Sequence, residues 1–525
     1  MEIITNDNTN AAQIDRDGEN KSVWQLNAKK ETDNGFFNAD TVYDSVIVGA
    51  GITGVTTALL LQRAGQNCVI VEAHNPGYGT TGGTTAHINT FADTTYADVE
   101  KDFSPKASQQ FADSITDSVS LIAELVRTYN IDCDFEWKNG YVYAETDAQA
   151  EELTDLYESA LRVGVSVKTT EHAPAPVVYK KAVVFDKQAQ FHPLKYINAL
   201  LAEFVRLGGA VVEKTLIDEI KTEDGYHIAK SKDREIKGKN VVYATHIPPG
   251  GVNVLHFRNA PYRSYVVAVE LTDEKDYPDG LVYDMQEPYH YFRTHVIDGK
   301  KYLISGGHDH KTAHGDPEQS FADLVNYTKE CYSVKSVLTK WSSQYYVPAD
   351  GLPYIGQMPG VANGIYAATG FNGNGMILGT VSAIVISDII AKGESAYEDL
   401  YKPSRIKPIA GFKEAIKENA DVASRFITDR FGIEEIESIS QIPNGTGEIF
   451  DYKDQKLAIY KDLSGNVKAL DPVCTHTGCI VQWNNSEKSW DCPCHGGRFD
   501  TSGNVLTGPP RIALKQIDIH TAEEK

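Results

Sequence analysis

The chain has 525 residues, 41% hydrophobic and 23% charged, which is the composition of an ordinary globular protein too long for a single hydrophobic core, so two to four domains are expected. Fifty Lys and Arg against 72 Asp and Glu leave a formal charge of -22, and no basic run interrupts that balance; a phosphate-neutralising nucleic-acid surface is thereby excluded. The polar, acidic start "MEIITNDNTNAAQIDRDGEN" lacks the basic-then-apolar order of a secretory signal, and no apolar run reads as the roughly 18 residues of a transmembrane segment, so a cytoplasmic protein is expected.

Residues 1–40 show no sustained periodicity and are expected to form an N-terminal arm on the surface. Then "YDSVIVGAG" reads as a buried strand, "VTTALLLQRAG" as a helix closed by Gly65, and "NCVIVEA" as a second strand, giving a β-α-β unit. Gly49, Gly51 and Gly54 form G-x-G-x-x-G between strand and helix. Gly49 suits the tight turn, Gly51 the approach of backbone to a pyrophosphate, and Gly54 the packing of helix on strand. Eighteen residues after Gly54, Glu72 ends the second strand, where a carboxylate can accept from a ribose 2'-OH. Its charge disfavours a 2'-phosphate and hence NADP, leaving NAD or FAD. Thr53 and Ala73 beside these positions complete the expected contacts. The following "GYGTTGGTTAHINT" offers the hydroxyls of Thr80, Thr81, Thr84 and Thr85 to a phosphate or ribityl chain, although an ordinary polar loop has the same composition.

From Lys106 to about Val163 helical patterns dominate, interrupted by "CDFEWKNGYVYAE", where Asn139-Gly140 predicts a hairpin turn. "HPLKYINALLAEFVRLGGAVVEKTLIDEI" reads as helix then strand, and "GKNVVYATH" as a further buried strand. Residues 262–348 carry alternating aromatic strands, which points to a mixed sheet inserted into the nucleotide domain. Within it Arg293 is a candidate catalytic group, since its guanidinium fork matches a carboxylate, although a structural ion pair would explain it equally. His308, His310 and His314 do not have the spacing of a 2-His-1-carboxylate iron site, so a polar loop at a strand end is the simpler account, with His310 kept as a catalytic candidate. Residues 397–431 suggest a Pro-rich turn and an amphipathic linker helix, and from Gly432 short strands with Gly and Asn turns replace helices.

Cys68, Cys133 and Cys331 are scattered in apolar or aromatic surroundings and read as inert thiols. The other four cysteines are crowded near the C-terminus in "CTHTGC" and "CPCHGG". Cys474 and His476 give C-x-H, and Cys492 and His495 give C-x-x-H. A zinc finger puts its cysteines first and its histidines last. The interleaved order fits a Rieske 2Fe-2S centre, in which each loop donates one thiolate and one imidazole; a zinc site remains the alternative.

About residues 41–400 resemble the FAD-dependent amine and amino-acid oxidoreductases, the family of glycine oxidase, sarcosine oxidase and D-amino-acid oxidase. The likeness rests on "VIVGAGITGVTTALLLQRAGQNCVIVEA", "GTTGGTTAH", "NVVYATH" and "DGLPYIGQMPGVANGIYAATGFNGNGMILG". It implies FAD, with Leu216 near the adenine, Ala244 and Thr245 at the cofactor, and the last stretch returning to the flavin: Asp350 begins it, and Gly370, Gly373, Gly375 and Met376 approach the ring. Where sarcosine oxidase has a Lys that clamps the substrate carboxylate, this chain has Ile377. No Cys is offered there for a covalent bond, so bound FAD is expected.

About residues 436–519 resemble the Rieske domains of the cytochrome bc type. That resemblance implies a disulfide between Cys479 and Cys494 tying the two loops, and makes "GPPR" the loop that covers the cluster. It also implies missing hydrogen bonds to cluster sulfur, because Gly497 and Phe499 stand where those relatives have Ser and Tyr. The expected fold is thus an α/β Rossmann-type FAD-binding domain with an inserted mixed-sheet substrate domain, plus a small all-β Rieske domain. The expected boundaries are 1–40 for the arm, 41–400 for the FAD-dependent domain (substrate subdomain mainly about 96–180 and 260–345), 401–435 for the linker helix and 436–525 for the Rieske domain.

A flavin takes two electrons and a 2Fe-2S cluster one, so their union suggests an enzyme that oxidises a small-molecule amine or amino acid and sends electrons out singly to an acceptor protein. A reductase receiving electrons from a donor protein through the cluster, and a redox-sensing carrier without substrate, are the alternatives. No second G-x-G-x-x-G provides for NAD(P)H, and no mononuclear iron site supports a Rieske oxygenase.

Overall fold

The computed structural model describes residues 16–28, 34–406, 434–435, 439–453 and 455–518. The expected linker helix lies almost wholly outside them.

The nucleotide half is an eight-stranded sheet whose centre is parallel. Val42–Val48 pairs on one side with Glu235–Tyr243 and on the other with Cys68–Val71, in the register Val46↔Val241 and Val46↔Val69. All-buried "CVIV" is what a strand covered on both faces requires. Between those strands, the helix Ile52–Arg63 buries nine of its twelve residues, and Gly65, at φ +85°, takes the left-handed turn after it. It packs against the helix Gly375–Lys392, which is long and apolar enough to cross a membrane by length and composition. That corrects the expectation that no such segment exists. In this fold the helix lies against Ile52–Arg63 and Pro105–Thr128, with its apolar side chains in the main core.

The second sheet has nine strands. Its path runs from Val334–Pro348 through Asn259–Leu271, Lys300–Lys311, His290–Ile297, Leu281–Tyr283, Glu136–Ala144 and Lys181–Gln190 to His87–Ile88, with Val167–Thr170 beside it. All neighbours are antiparallel except Leu281–Tyr283 and Glu136–Ala144. The hairpin predicted at Asn139-Gly140 is absent: Glu136–Ala144 is one strand with a register shift between Lys138 and Gly140. A Cβ on Gly140 would come 2.9 Å from Gln188 and 3.3 Å from Phe91, so the glycine serves a close approach at a bulge rather than a turn.

The C-terminal part consists of two four-stranded sheets, Glu434–Glu435 to Val467–Leu470 and Gln482–Asn484 to Val505–Thr507. Within residues 16–28 of the arm, Arg16, Asp17 and Ser22–Gln25 are buried rather than spread over the surface. Trp24 donates from Nε1 to the carbonyl of Thr84 at 2.6 Å, and Ser22 to that of Gly82 at 2.6 Å, so the arm pins the Gly/Thr segment from outside.

Candidate functional site

A cavity of about 690 Å³ opens at the C-terminal ends of the parallel strands, within the range of cofactor and small-molecule sites. Gly49 sits at φ +108° with its missing Cβ 2.5 Å from the Ala244 carbonyl oxygen. Gly51 leaves space 2.9 Å from the Thr81 hydroxyl oxygen, which accepts from Ile52 N at 3.0 Å. Gly54 faces the Gly49 carbonyl, where any side chain would part helix from strand. Glu72 lines the cavity and accepts from Ala50 N at 2.8 Å and His74 N at 2.9 Å; burial raises its pKa while those two amides oppose the rise. Its remaining lone pairs are free for a hydroxyl donor.

Thr53, Ala73, Thr80, Thr81, Thr84, Thr85, Leu216, Ala244, Thr245, Gly373, Gly375 and Met376 all line the same cavity. A long polar cradle with missing Cβ atoms at the strand-to-helix turn fits FAD. Two expected contacts stand elsewhere. Asp350 is buried in a two-point ion pair with Arg405, Nε–Oδ2 2.8 Å and Nη2–Oδ1 2.7 Å, so its carboxylate is already engaged. Gly370, at φ +80°, backs onto Asn259 and Pro348 and turns the chain just before the lining segment Phe371–Ile377.

Neither catalytic candidate reaches the cavity. Arg293 is fully buried and donates from Nη1 to the carbonyls of Thr85 at 2.7 Å and Ala86 at 2.9 Å, with Trp24 over its guanidinium at 5.3 Å. Burial pushes its pKa down to about 9, and its fork holds backbone rather than a substrate. The Nε2 of His310 meets the Tyr265 hydroxyl at 2.8 Å and its Nδ1 the Lys311 carbonyl at 2.9 Å, on the far side of the strand. His308 packs on His290 and His314 on the Thr312 carbonyl, so the three histidines serve separate partners. Arg263 is buried at the domain junction described below. Beyond the glycine loop the cavity is also lined by Asp93, Asp309, Tyr289 and Tyr345, which no local motif announces.

In the C-terminal domain two loops mirror each other. Cys474 N donates to the Cys479 carbonyl at 2.8 Å and Gly478 N to that of Cys474 at 3.0 Å; Cys492 N donates to Gly497 at 2.7 Å and Gly496 N to Cys492 at 3.1 Å. Cys474, Cys492 and His495 are buried, and the His476 and His495 rings lie 5.0 Å apart at 85°. Nδ1 and Nε2 of His476 and Nε2 of His495 are buried without a protein hydrogen-bond partner. Two thiols and two imidazoles with unclaimed nitrogens are the donor set a Rieske 2Fe-2S cluster needs. The remaining pair, Cys479 and Cys494, is joined as a disulfide, and Cys492 lies beside it.

The histidine side of these loops is covered by the nucleotide half. His256 lies 4.6 Å from His476 and 5.8 Å from His495, centroid to centroid, and Phe257 5.9 Å from His495. The Tyr346 hydroxyl donates to the His495 carbonyl at 3.0 Å, and Gln344 Nε2 to that of Gly496 at 2.9 Å. Both side chains line the cavity, as do the strand Val505–Thr507 and Gly508 and Pro510 of the cover segment.

A buried ionic network joins the two halves. Arg16, Arg263 and Arg498 face Asp17, Glu487 and Asp491, three charges against three. Ser342 donates to Glu487 at 2.5 Å and accepts from Arg263 at 2.6 Å, while Arg498 meets Asp491 at 3.0 Å and Asp17 at 3.2 Å. The arginines hold the Asp17 and Asp491 carboxyls below the usual range despite their burial.

Comparison with known proteins agrees with both halves. Residues 44–389 match the model of the FAD dependent oxidoreductase family, and residues 434–518 that of the Rieske [2Fe-2S] domain. A putative Rieske 2Fe-2S iron-sulfur protein, YhfW of Bacillus subtilis, is 32% identical over 91% of this chain and 94% of its own. The cytochrome b6-f complex iron-sulfur subunit of Chlorobaculum tepidum is 35% identical over 86 residues, 16% of this chain and 47% of the subunit. Among solved structures, glycine oxidase from Geobacillus kaustophilus superposes with TM-score 0.57 at 18% identity, over 69% of this chain and 99% of that one. L-proline dehydrogenase from P. horikoshii gives 0.58 at 20%, over 69% and 97%. These two show a shared fold. The chain belongs to the FAD-dependent oxidoreductases and carries a Rieske [2Fe-2S] domain after the flavin domain, so its cofactors are FAD and a 2Fe-2S cluster.

Proposed function

We propose that the protein oxidises the C–N bond of an amine or amino acid at FAD and passes the electrons one at a time through its own Rieske cluster to an acceptor protein. Bound FAD supplies a two-electron acceptor. The substrate carbon gives up its hydrogen with the bonding pair, the nitrogen loses a proton, and the resulting imine is hydrolysed by water to a carbonyl and free amine. In this proposal Gly49, Gly51, Glu72 and the threonines from Thr80 to Thr85 hold the cofactor. Cys474, His476, Cys492 and His495 hold iron, within a flavin domain spanning about 41–400 and a Rieske domain spanning about 436–525.

The observation that carries it is the shared wall. Tyr346 lines the cavity and donates to the carbonyl of His495, and the cover segment of the cluster loops closes the same cavity. In this reading side chains of both domains, Tyr346 among them, lie between the flavin site and the cluster loops. The fold shared with a glycine oxidase and an L-proline dehydrogenase supports the substrate class. The test is an anaerobic panel of amines and amino acids, following flavin and cluster absorbance together. Flavin bleaching ahead of cluster reduction is expected; a panel in which no compound bleaches the flavin, while dithionite does, would remove the proposal.

A further inference from the structure

The cavity does not end at the glycine loop. It continues under the nine-stranded sheet into a compartment lined by Tyr283, Tyr289, Tyr291 and Tyr345 together with Asp93 and Asp309. Among the described residues lining the whole cavity there is no Lys and no Arg. The two arginines of the neighbouring strands are spent on other contacts, Arg293 on backbone carbonyls and Arg263 on the domain junction. Two of the three lining histidines, those beside the tyrosines and the Thr80 hydroxyl, are held neutral. His246 is held down to about 4 by burial, and His87 well below its ordinary value by burial and by Arg293. A substrate carboxylate in this compartment would thus meet no Lys or Arg, and it would meet two carboxylates.

Those two carboxylates are arranged differently. Asp93 lines the cavity and accepts from Gly373 N at 2.7 Å with the Asn374 side chain beside it; burial raises its pKa while those two donors oppose the rise, which places the carboxyl at the lining segment before the Gly375 helix. Asp309 accepts from the Tyr345 hydroxyl at 3.0 Å through Oδ2 and has the Ser264 and Tyr289 hydroxyls beside it, which oppose the rise that burial gives its pKa, while its Oδ1 is buried with no hydrogen bond of good geometry. Burial, reinforced by the charge of Asp93, lifts the Asp309 carboxyl to about 7. A buried carboxylate oxygen left without a donor is costly unless something else supplies one. The tyrosine rings add the faces that attract a cation: Tyr289 and Tyr291 lie 5.7 Å apart, centroid to centroid, and the Tyr291 hydroxyl is turned away onto Ser264 at 3.2 Å.

We propose that the substrate is a cationic amine that carries no carboxylate, its ammonium seated between Asp93 and Asp309 inside the tyrosine walls. This deepens the amine-oxidation proposal and rests on it for turnover, but not for binding. Asp309 Oδ1 accepts the ammonium N–H, and the proton that must leave nitrogen before the C–H pair can depart passes to that oxygen. An N-alkylated ammonium fits the aromatic walls better than a bare one, because it offers a larger apolar shell to the rings.

The experiment uses the holoprotein with both cofactors and titrates tetramethylammonium, which has neither an N–H nor a lone pair to be oxidised and so reads the carboxylate charge and the aromatic walls alone, and separately acetate and benzoate, each read as a shift of the flavin absorption bands. Tetramethylammonium is expected to shift the bands saturably and the carboxylates to leave them unchanged. D309N and D93N, each checked for full flavin content, are expected to weaken tetramethylammonium by about tenfold or more, as loss of a charge at contact distance would do. A saturable shift with the carboxylates and none with tetramethylammonium overturns the inference, and so does an affinity unmoved in both variants. If tetramethylammonium binds as expected but no primary, secondary or tertiary amine bleaches the flavin anaerobically, the ammonium site stands and the amine-oxidation proposal falls.

Discussion

Replacing Arg263 by Met tests whether the flavin and Rieske domains are held as one unit. Arg263 is about 1% exposed and stands in a neutral network of three arginines and three carboxylates drawn from the arm, the nine-stranded sheet and the Rieske domain. Arg263→Met leaves two cations against three anions and strips Ser342 of a charged donor at 2.6 Å. Removing one partner from a buried ionic group costs about 3–5 kcal/mol, of which a lost hydrogen bond to a charged group accounts for roughly 1.5–3. The junction should weaken by about 10² to nearly 10⁴ at RT of about 0.59 kcal/mol. A double variant, Arg263→Met with Glu487→Gln, returns the network to two against two and should recover part of the loss, because residues sharing one network do not add independently. Urea titrations that follow the cluster's visible dichroism and the flavin's fluorescence give both free energies. If Arg263→Met lies within about 0.5 kcal/mol of the parent by both signals, or if the double variant loses as much as the two single variants summed, the network does not hold the junction.

Gly51→Val should leave the fold intact but abolish flavin retention, since the added side chain enters the cavity against the Thr81 hydroxyl; the ratio of flavin to protein absorbance after purification checks it. The cluster midpoint should fall in the lower part of the roughly -150 to +300 mV Rieske range, because Gly497 and Phe499 bring no hydroxyl to cluster sulfur. Phe499→Tyr should raise that midpoint in a redox titration, and an unchanged value would count against the explanation. Cys479→Ser removes a crosslink spanning 15 residues and should cost the Rieske domain about 3 kcal/mol, seen as earlier loss of cluster absorbance on heating. Tetramethylammonium affinity should rise as pH rises through about 7, because the carboxyl of Asp309, faced by Asp93, Ser264, Tyr289 and Tyr345, is neutral below that value and anionic above it. A flat profile between pH 6 and 8 would exclude Asp309 as the controlling group.

What was legible in the sequence is what local geometry dictates. Each glycine of G-x-G-x-x-G has a backbone task within a few residues of itself, and the two cluster loops carry their Cys and His in an interleaved order that, with the resemblance to Rieske domains, separates the expected donors from the disulfide pair. The role of Arg293 stays open in the sequence because its partners, the carbonyls of Thr85 and Ala86, lie some 200 positions away, and a guanidinium fork fits stacked carbonyls as well as a carboxylate. Asp350 was likewise claimed by Arg405. The histidines of "GGHDHKTAHGD" drew notice, yet Asp309 between two of them is the residue that faces the cavity, since neighbours on a strand point to opposite sides. The burial of Asp17 could not be foreseen, because Arg498 stands 481 positions further along the chain.

The most direct test of the account is rapid anaerobic mixing of the holoprotein with an amine that reduces it, in the absence of any second protein. Flavin absorbance should fall first, and the reduced cluster should then appear, by its electron paramagnetic resonance signal, at a rate independent of protein concentration. A fully reduced flavin beside a cluster that stays oxidised, or a cluster rate that scales with protein concentration, would contradict electron transfer across the wall shared by Tyr346 and His495.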